Sequence, residues 1–212
     1  MPRNPPDSAA RFIPPDPTLA SLRAAAAGCT ACPLHLTGTQ TVFGEGPEDA
    51  VALLVGEQPG DQEDLQGHPF VGPAGQLLDR ALDEAGIDRA RVYVTNAVKH
   101  FKWTPRGKRR IHQKPTAGEV RHYRWWLDQE LRLVHPGLTV ALGATAVLAL
   151  AGKSLPIARS RGPADFNGRA GFITVHPSYL LRILDPADKE RGYDDFVRDL
   201  RSIRELAGLS VS

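Results

Sequence analysis

Cysteine is scarce in this chain: Cys29 and Cys32 are the only two among 212 residues. Two thiols three positions apart cannot build the multi-bridge framework of a small secreted domain, so a reducing, cytoplasmic setting is the expectation. Long apolar runs are lacking as well. No stretch nears the roughly 20 residues that a membrane helix needs, and the proline-rich start, MPRNPPDSAARFIPPDPT, has no apolar signal-peptide core. No membrane partner is expected. Charge of one sign is also missing in bulk. Lys and Arg number 26 against 24 Asp and Glu, a net charge of +2, so only the distribution of charge can point to partners. No internal repeat is visible.

With 42% hydrophobic residues the chain can bury a full core. One domain over residues 18–212, behind a loose arm at 1–17, is expected, and a monomer with it. Apolar runs at 51–55, 91–95, 138–142 and 172–175 read as strands. They alternate with helical segments at 19–27, from Pro73 onward, from about 115 to 134, from 143 to 150 and from 187 to 207. Thr18 suits the cap of the first of these helices, and Gly28 its end. Such alternation predicts an α/β protein, a single-domain three-layer α/β/α sandwich around a four-stranded, mainly parallel sheet.

The stretch VALLVGEQPGDQEDLQGHPFVGPAG, residues 51–75, organises the rest. A buried strand runs into Glu57, Asp61, Glu63 and Asp64, just past the carboxyl end where open α/β sheets bind ligands. Phe70 follows in a Gly/Pro-rich loop, able either to cap the core or to stack on a flat ring. The second strand delivers Asn96 to the same edge, and the fourth runs into His176-Pro177-Ser178. An amide presents donor and acceptor together, as a nucleobase edge requires, though Asn is also an ordinary turn residue.

Two further features stand apart. Cys29-Thr-Ala-Cys32 has the spacing for two thiolates to reach one metal or cluster. A redox pair or a chance arrangement are the competing readings, and the redox one expects a preceding strand where a helix stands here. Residues 99–114, KHFKWTPRGKRRIHQK, concentrate positive charge around Phe101 and Trp103. They read as an exposed loop, a phosphate-tracking surface with stacking groups or a merely solvated one.

GEQPGDQED, GHPFVGPAG, VTNAVKH, KRRIH and VHPS, in that order across residues 29–182, resemble the uracil-DNA glycosylase superfamily. KRRIH together with Gln58 is similar to its X-type members, which cross-link themselves to DNA and act once. The resemblance implies uracil-containing DNA as partner, preferentially single-stranded. It implies catalytic roles for Glu57, His112 and His176, substrate contacts from Gln58, Asp61, Phe70 and Asn96, and DNA contacts from Lys99, Lys102, Lys108, Arg109, Arg110 and Ser178. His112 would capture the sugar C1′ after base loss, beside Glu57, while His176 would stabilise the departing uracil anion. A four-iron, four-sulfur cluster is also implied, on Cys29, Cys32, His100 and a fourth ligand near residue 123. Tyr123 holds that position, so His122 is the expected ligand, and a two-Cys, two-His set would equally suit zinc. Ordinary hydrolytic turnover and a non-catalytic module for single-stranded DNA are the alternative functions.

Overall fold

The computed structural model describes residues 9–209. Its centre is a five-stranded sheet in the order β2-β1-β5-β7-β6, with β1 Ala52–Gly56, β2 Val92–Asn96, β5 Leu138–Leu142, β6 Gly162–Asp165 and β7 Ala170–Thr174. The first four of these in spatial order run parallel, as expected. An edge strand is added. β6 pairs antiparallel with β7 inside what reads in sequence as a Pro/Arg/Gly-rich connection, because edge position tolerates its Pro163.

Period-two alternation divides the core into two layers. Leu53 and Val55 of β1 face one side, against α1 Leu19–Ala27, α4 Ala117–Val134 and α5 Ala144–Ala151; Ala52 and Leu54 face the other, against α3 Pro73–Glu84 and α8 Pro186–Leu206. All five residues of β1 are buried, so its apolar run follows from burial on both faces. The helices begin where their chemistry says. Thr18 and Ser21 form a capping box on α1, Thr116 and Glu119 another on α4, and Pro73 opens α3.

Three segments differ from expectation. The acidic stretch after β1 is ordered as a short helix, α2 Asp61–Gln66, whose first turn holds Asp61, Glu63 and Asp64 against the positive end of the helix dipole. The basic loop is a hairpin of β3 Trp103–Arg106 and β4 Arg109–His112, turned through Gly107 at φ +60°. Part of the supposed arm is packed: Ala9–Phe12 form a 3-10 turn that buries Ala9 in the core, with Phe12 and Ile13 beside it. Residues 1–8 of that arm lie outside the described ones. Among the described residues no helix is long and apolar enough to cross a membrane.

Candidate active site

Parallel pairing fixes which side chains meet. Gly56 at the end of β1 lies in register with Asn96 at the end of β2, and β5 and β7 deliver Gly143 and His176 to the same edge. Gly56 forms the floor. A Cβ added there would press into Asn96 Oδ1, would come within 2.7 Å of the Phe70 ring and would lie 3.3 Å from His176 Nε2, so these three groups converge on one spot and only glycine leaves room. Asn96 is 3% exposed, and among the described residues no hydrogen bond occupies its side-chain amide. The surrounding cleft measures about 1370 Å³ and is also lined by Glu57 and His112.

Phe70 is held in an unusual backbone state. Its φ is +58°, a left-handed conformation costly for a bulky residue and characteristic of strained functional positions. Glu63 over-determines that loop: one carboxylate oxygen accepts from Gly72 N–H at 2.8 Å and the other from Gly60 N–H at 3.0 Å, tying the two loops of the pocket together. The Phe70 and His176 rings then lie nearly parallel, 26° apart with centroids 6.1 Å apart. In the sequence Glu63 is one of several similar acids, and its three-residue spacing from Gly60 is the signal that singles it out.

Hydrogen bonding sets the proton on His176. The Ser178 backbone N–H donates to Nδ1 at 3.2 Å, so the neutral ring carries its proton on Nε2, the nitrogen turned toward the floor. Burial pulls the His176 pKa down to about 4, against the attraction of Glu57. At neutral pH the ring is therefore an uncharged donor. Glu57 behaves oppositely: burial alone would raise its pKa, but hydrogen bonds from His112 and Thr145 hold the carboxyl below its ordinary value. His112 Nε2 lies 3.1 Å from Glu57 Oε1 with about half of its side chain exposed, while Thr145 donates to the other oxygen. A half-buried carboxylate thus orients an accessible imidazole at the cleft mouth.

The sequence model of the uracil DNA glycosylase superfamily matches residues 43–201, three quarters of the chain. The chain belongs to the uracil-DNA glycosylase superfamily. Similar proteins include the type-4 uracil-DNA glycosylase of Thermotoga maritima, 45% identical over 157 residues, which are 73% of this chain and 78% of that protein. The Pyrobaculum aerophilum enzyme of the same name is 37% identical over 163 residues, 73% and 80% of the two chains. That of Sulfurisphaera tokodaii is 35% identical over 187 residues, 84% and 80%.

In this member of the superfamily, the basic residues divide sharply. Lys108 and Arg109 are exposed at the hairpin tip. Lys99 is not a DNA contact. It is fully buried, with Nζ 2.5 Å from Glu130 Oε2, 2.6 Å from Thr95 Oγ1 and 2.9 Å from the Asn96 carbonyl, because the chain turns inward immediately after β2. Arg110 turns in too, pairing with Asp61 and Asp64 at 2.5 Å each and covering Phe101 and Trp103. Asp61, though it lines the cleft, is thereby engaged with the hairpin. Lys102 pairs with Glu119 at 2.9 Å, and Phe101, expected at the surface, is buried. Gln58 is the hairpin's hinge pin: its side-chain amide donates to the carbonyls of Lys102 and Gln113 and accepts from Lys102 N–H. Ser178 braces His176, its hydroxyl 2.9 Å from Nδ1 and accepting from Arg182.

The cysteine corner departs furthest from the resemblance. Cys29 and Cys32 are buried and free. His122 is not among their neighbours; Tyr123, one residue on along α4, meets Cys32 at 3.0 Å and His100 at 2.6 Å, since one step along a helix turns a side chain by about 100°. Among the described residues no group of three or more His, Cys, Asp or Glu is arranged to hold a metal. With a phenol between the sulfur and the imidazole, the donors do not fit a four-ligand cluster or a tetrahedral zinc.

Proposed function

We propose that this protein excises uracil from DNA and that His112 then captures the sugar, leaving a covalent protein–DNA adduct. The observation that carries the reading is the Glu57–His112 pair, 3.1 Å apart at the mouth of a cleft whose floor presents an aromatic ring, an amide and an imidazole donor. A flipped pyrimidine stacks on Phe70 and offers its polar edge to Asn96. Cleavage of the C1′–N1 bond sends its electron pair into the base. His176 Nε2–H donates to the uracil oxygen that gains this charge, the work of a preorganised oxyanion donor. A neutral imidazole suits the task because it stabilises the anion without protonating it outright.

The sugar left behind is an oxocarbenium cation. A ring-nitrogen lone pair of His112 bonds to C1′, and the positive charge passes to the alkylated imidazolium, beside the Glu57 carboxylate, which can accept the remaining ring proton. Extrusion of the base has its own support. Tyr179, Leu181 and Leu184 follow His176 directly, and Leu184 is 95% exposed, an apolar tip suited to filling the gap in a base stack. A single- or double-stranded substrate fits this arrangement; exposed Lys108 and Arg109 grip phosphates in either.

A denaturing gel with a uracil-containing oligonucleotide tests the proposal. Capture predicts a slow band that survives hot denaturant, and adduct on the peptide containing Ile111 and His112. Free abasic DNA without the band would establish hydrolytic turnover instead. Bound but unreacted DNA would remove the chemistry altogether.

A further inference from the structure

The cysteine corner is a continuous series of hydrogen bonds whose direction can be worked out proton by proton. Thr41 Oγ1 lies 3.0 Å from the Ala26 carbonyl, which can only accept, so the threonine proton goes there. His100 Nε2, 3.0 Å from the same hydroxyl, must therefore be the donor. A neutral ring protonated on Nε2 leaves Nδ1 bare, and the Tyr123 hydroxyl donates to it at 2.6 Å. The phenol oxygen then accepts the Cys32 thiol proton at 3.0 Å. From Cys32 to Ala26 each hydroxyl in the series is both donor and acceptor, with no proton left over.

We infer that Tyr123 replaces a metal in this protein: the corner is held by a neutral Cys32–Tyr123–His100–Thr41–Ala26 hydrogen-bond chain, and the native fold binds neither iron nor zinc there. A metal would need the Cys32 thiolate and the bare His100 nitrogen, and the phenol occupies both. The chain also does a staple's mechanical work. It joins the end of α1, the turn at Cys32, the segment at Thr41, the turn after β2 and α4. Close by, Val42 N–H donates to the Lys99 carbonyl and Trp103 Nε1–H to the Thr37 carbonyl, so the corner braces the root of the hairpin that bears His112. This inference is independent of the covalent-capture proposal, because it concerns only what holds the corner together.

The test uses the full-length protein, with iron and zinc analysis, absorbance spectra and thermal melts. Wild type should purify colourless, with both metals far below one per chain, and a chelator should not change its Tm. Tyr123→Phe keeps the ring but breaks the series at its middle, and should lower Tm by roughly 5–10 °C. Tyr123→Cys places a third thiol opposite His100, and after anaerobic treatment with iron and sulfide it should take up iron and a visible absorption band that wild type does not acquire. Stoichiometric iron or zinc in wild type would overturn the inference. So would an unchanged Tm for Tyr123→Phe, or a Tyr123→Cys variant that gains no more iron than wild type.

Discussion

Replacing Lys99 by methionine should unfold the protein at a much lower temperature while leaving its contacts with DNA phosphates unaltered. Nothing about VTNAVKH suggests this, since a lysine at the start of a basic stretch reads as a surface cation. In the structure both Lys99 and Glu130 are fully buried and 2.5 Å apart. Glu130 also accepts from Gly44 N–H, the Tyr93 hydroxyl and the Thr95 hydroxyl, so the carboxylate is the hub of the network and cannot move to water when its counter-charge is removed. Breaking a buried pair from one side costs about 3–5 kcal/mol, mostly the energy of the stranded charge. At about 2–4 °C per kcal/mol for a domain of this size, Tm should fall by roughly 6–20 °C. Differential scanning calorimetry measures this directly. Glu130→Gln, added to Lys99→Met, neutralises the stranded charge and should restore part of the loss, a coupling that a double-mutant cycle reads as non-additivity. DNA association rates on the folded variant should keep the wild-type dependence on salt. A Lys99→Met protein with unchanged Tm but weaker, less salt-sensitive DNA binding would refute the buried-network argument.

His112→Ser should abolish the heat-stable DNA band while leaving base excision measurable, because the proposed mechanism assigns departure of uracil to His176 and Asn96; loss of excision together with capture would place His112 in the first step. His176→Ala should slow single-turnover uracil release by about 100-fold or more, the usual consequence of deleting one oxyanion donor. Released uracil measured in the His112→Ser background should stay nearly constant from neutral pH down to about 5 and decline as pH falls through about 4, where His176 protonates; a decline centred near pH 6.5 would contradict a buried, neutral imidazole. Thermal stability should carry the same signature. His100 and His176 titrate near 4 when folded and at the ordinary 6.5 when unfolded, so their contribution is complete above pH 6.5 and is lost progressively toward pH 4, where the unfolded chain binds protons first. Replacing Lys108 and Arg109 together by glutamine should weaken initial DNA capture and flatten the plot of affinity against salt, whereas Lys102→Gln should affect capture less because Glu119 already pairs it.

The sheet was legible because fully buried parallel strands leave mostly apolar runs, VALLV unbroken and VYVTN and LTVAL interrupted only by uncharged polar residues. The strand ends were legible with it, which is why Glu57, Asn96 and His176 could be placed on one edge before any coordinates. Edge strand β6 was not, since GPAD carries no apolar period and gains its strand conformation from β7 alone. The basic segment shows the limit of reading charge from composition: the sequence lists Lys99, Lys102 and Arg110 as cations, but their partners Glu130, Glu119 and the Asp61–Asp64 pair are 31, 17 and more than 40 residues away. The fourth corner residue failed for a smaller reason. Helical phase distinguishes position 122 from 123 only once the start of α4 is known, and Thr116 sets that start as N-cap by accepting from the Glu119 N–H.

The hairpin is anchored at one end and unsupported at the other. Gln58 and Trp103 pin its root to the body and Arg110 holds it part-way along, whereas a side chain at Gly107 would touch nothing within 4 Å. His112, the proposed nucleophile, and the exposed cationic tip therefore share one ribbon without sharing a support. Under the proposed reading, the tip can be lengthened, recharged or fused to another binding element while His112 stays at its station beside Glu57, so reach along a strand is adjustable separately from the reaction.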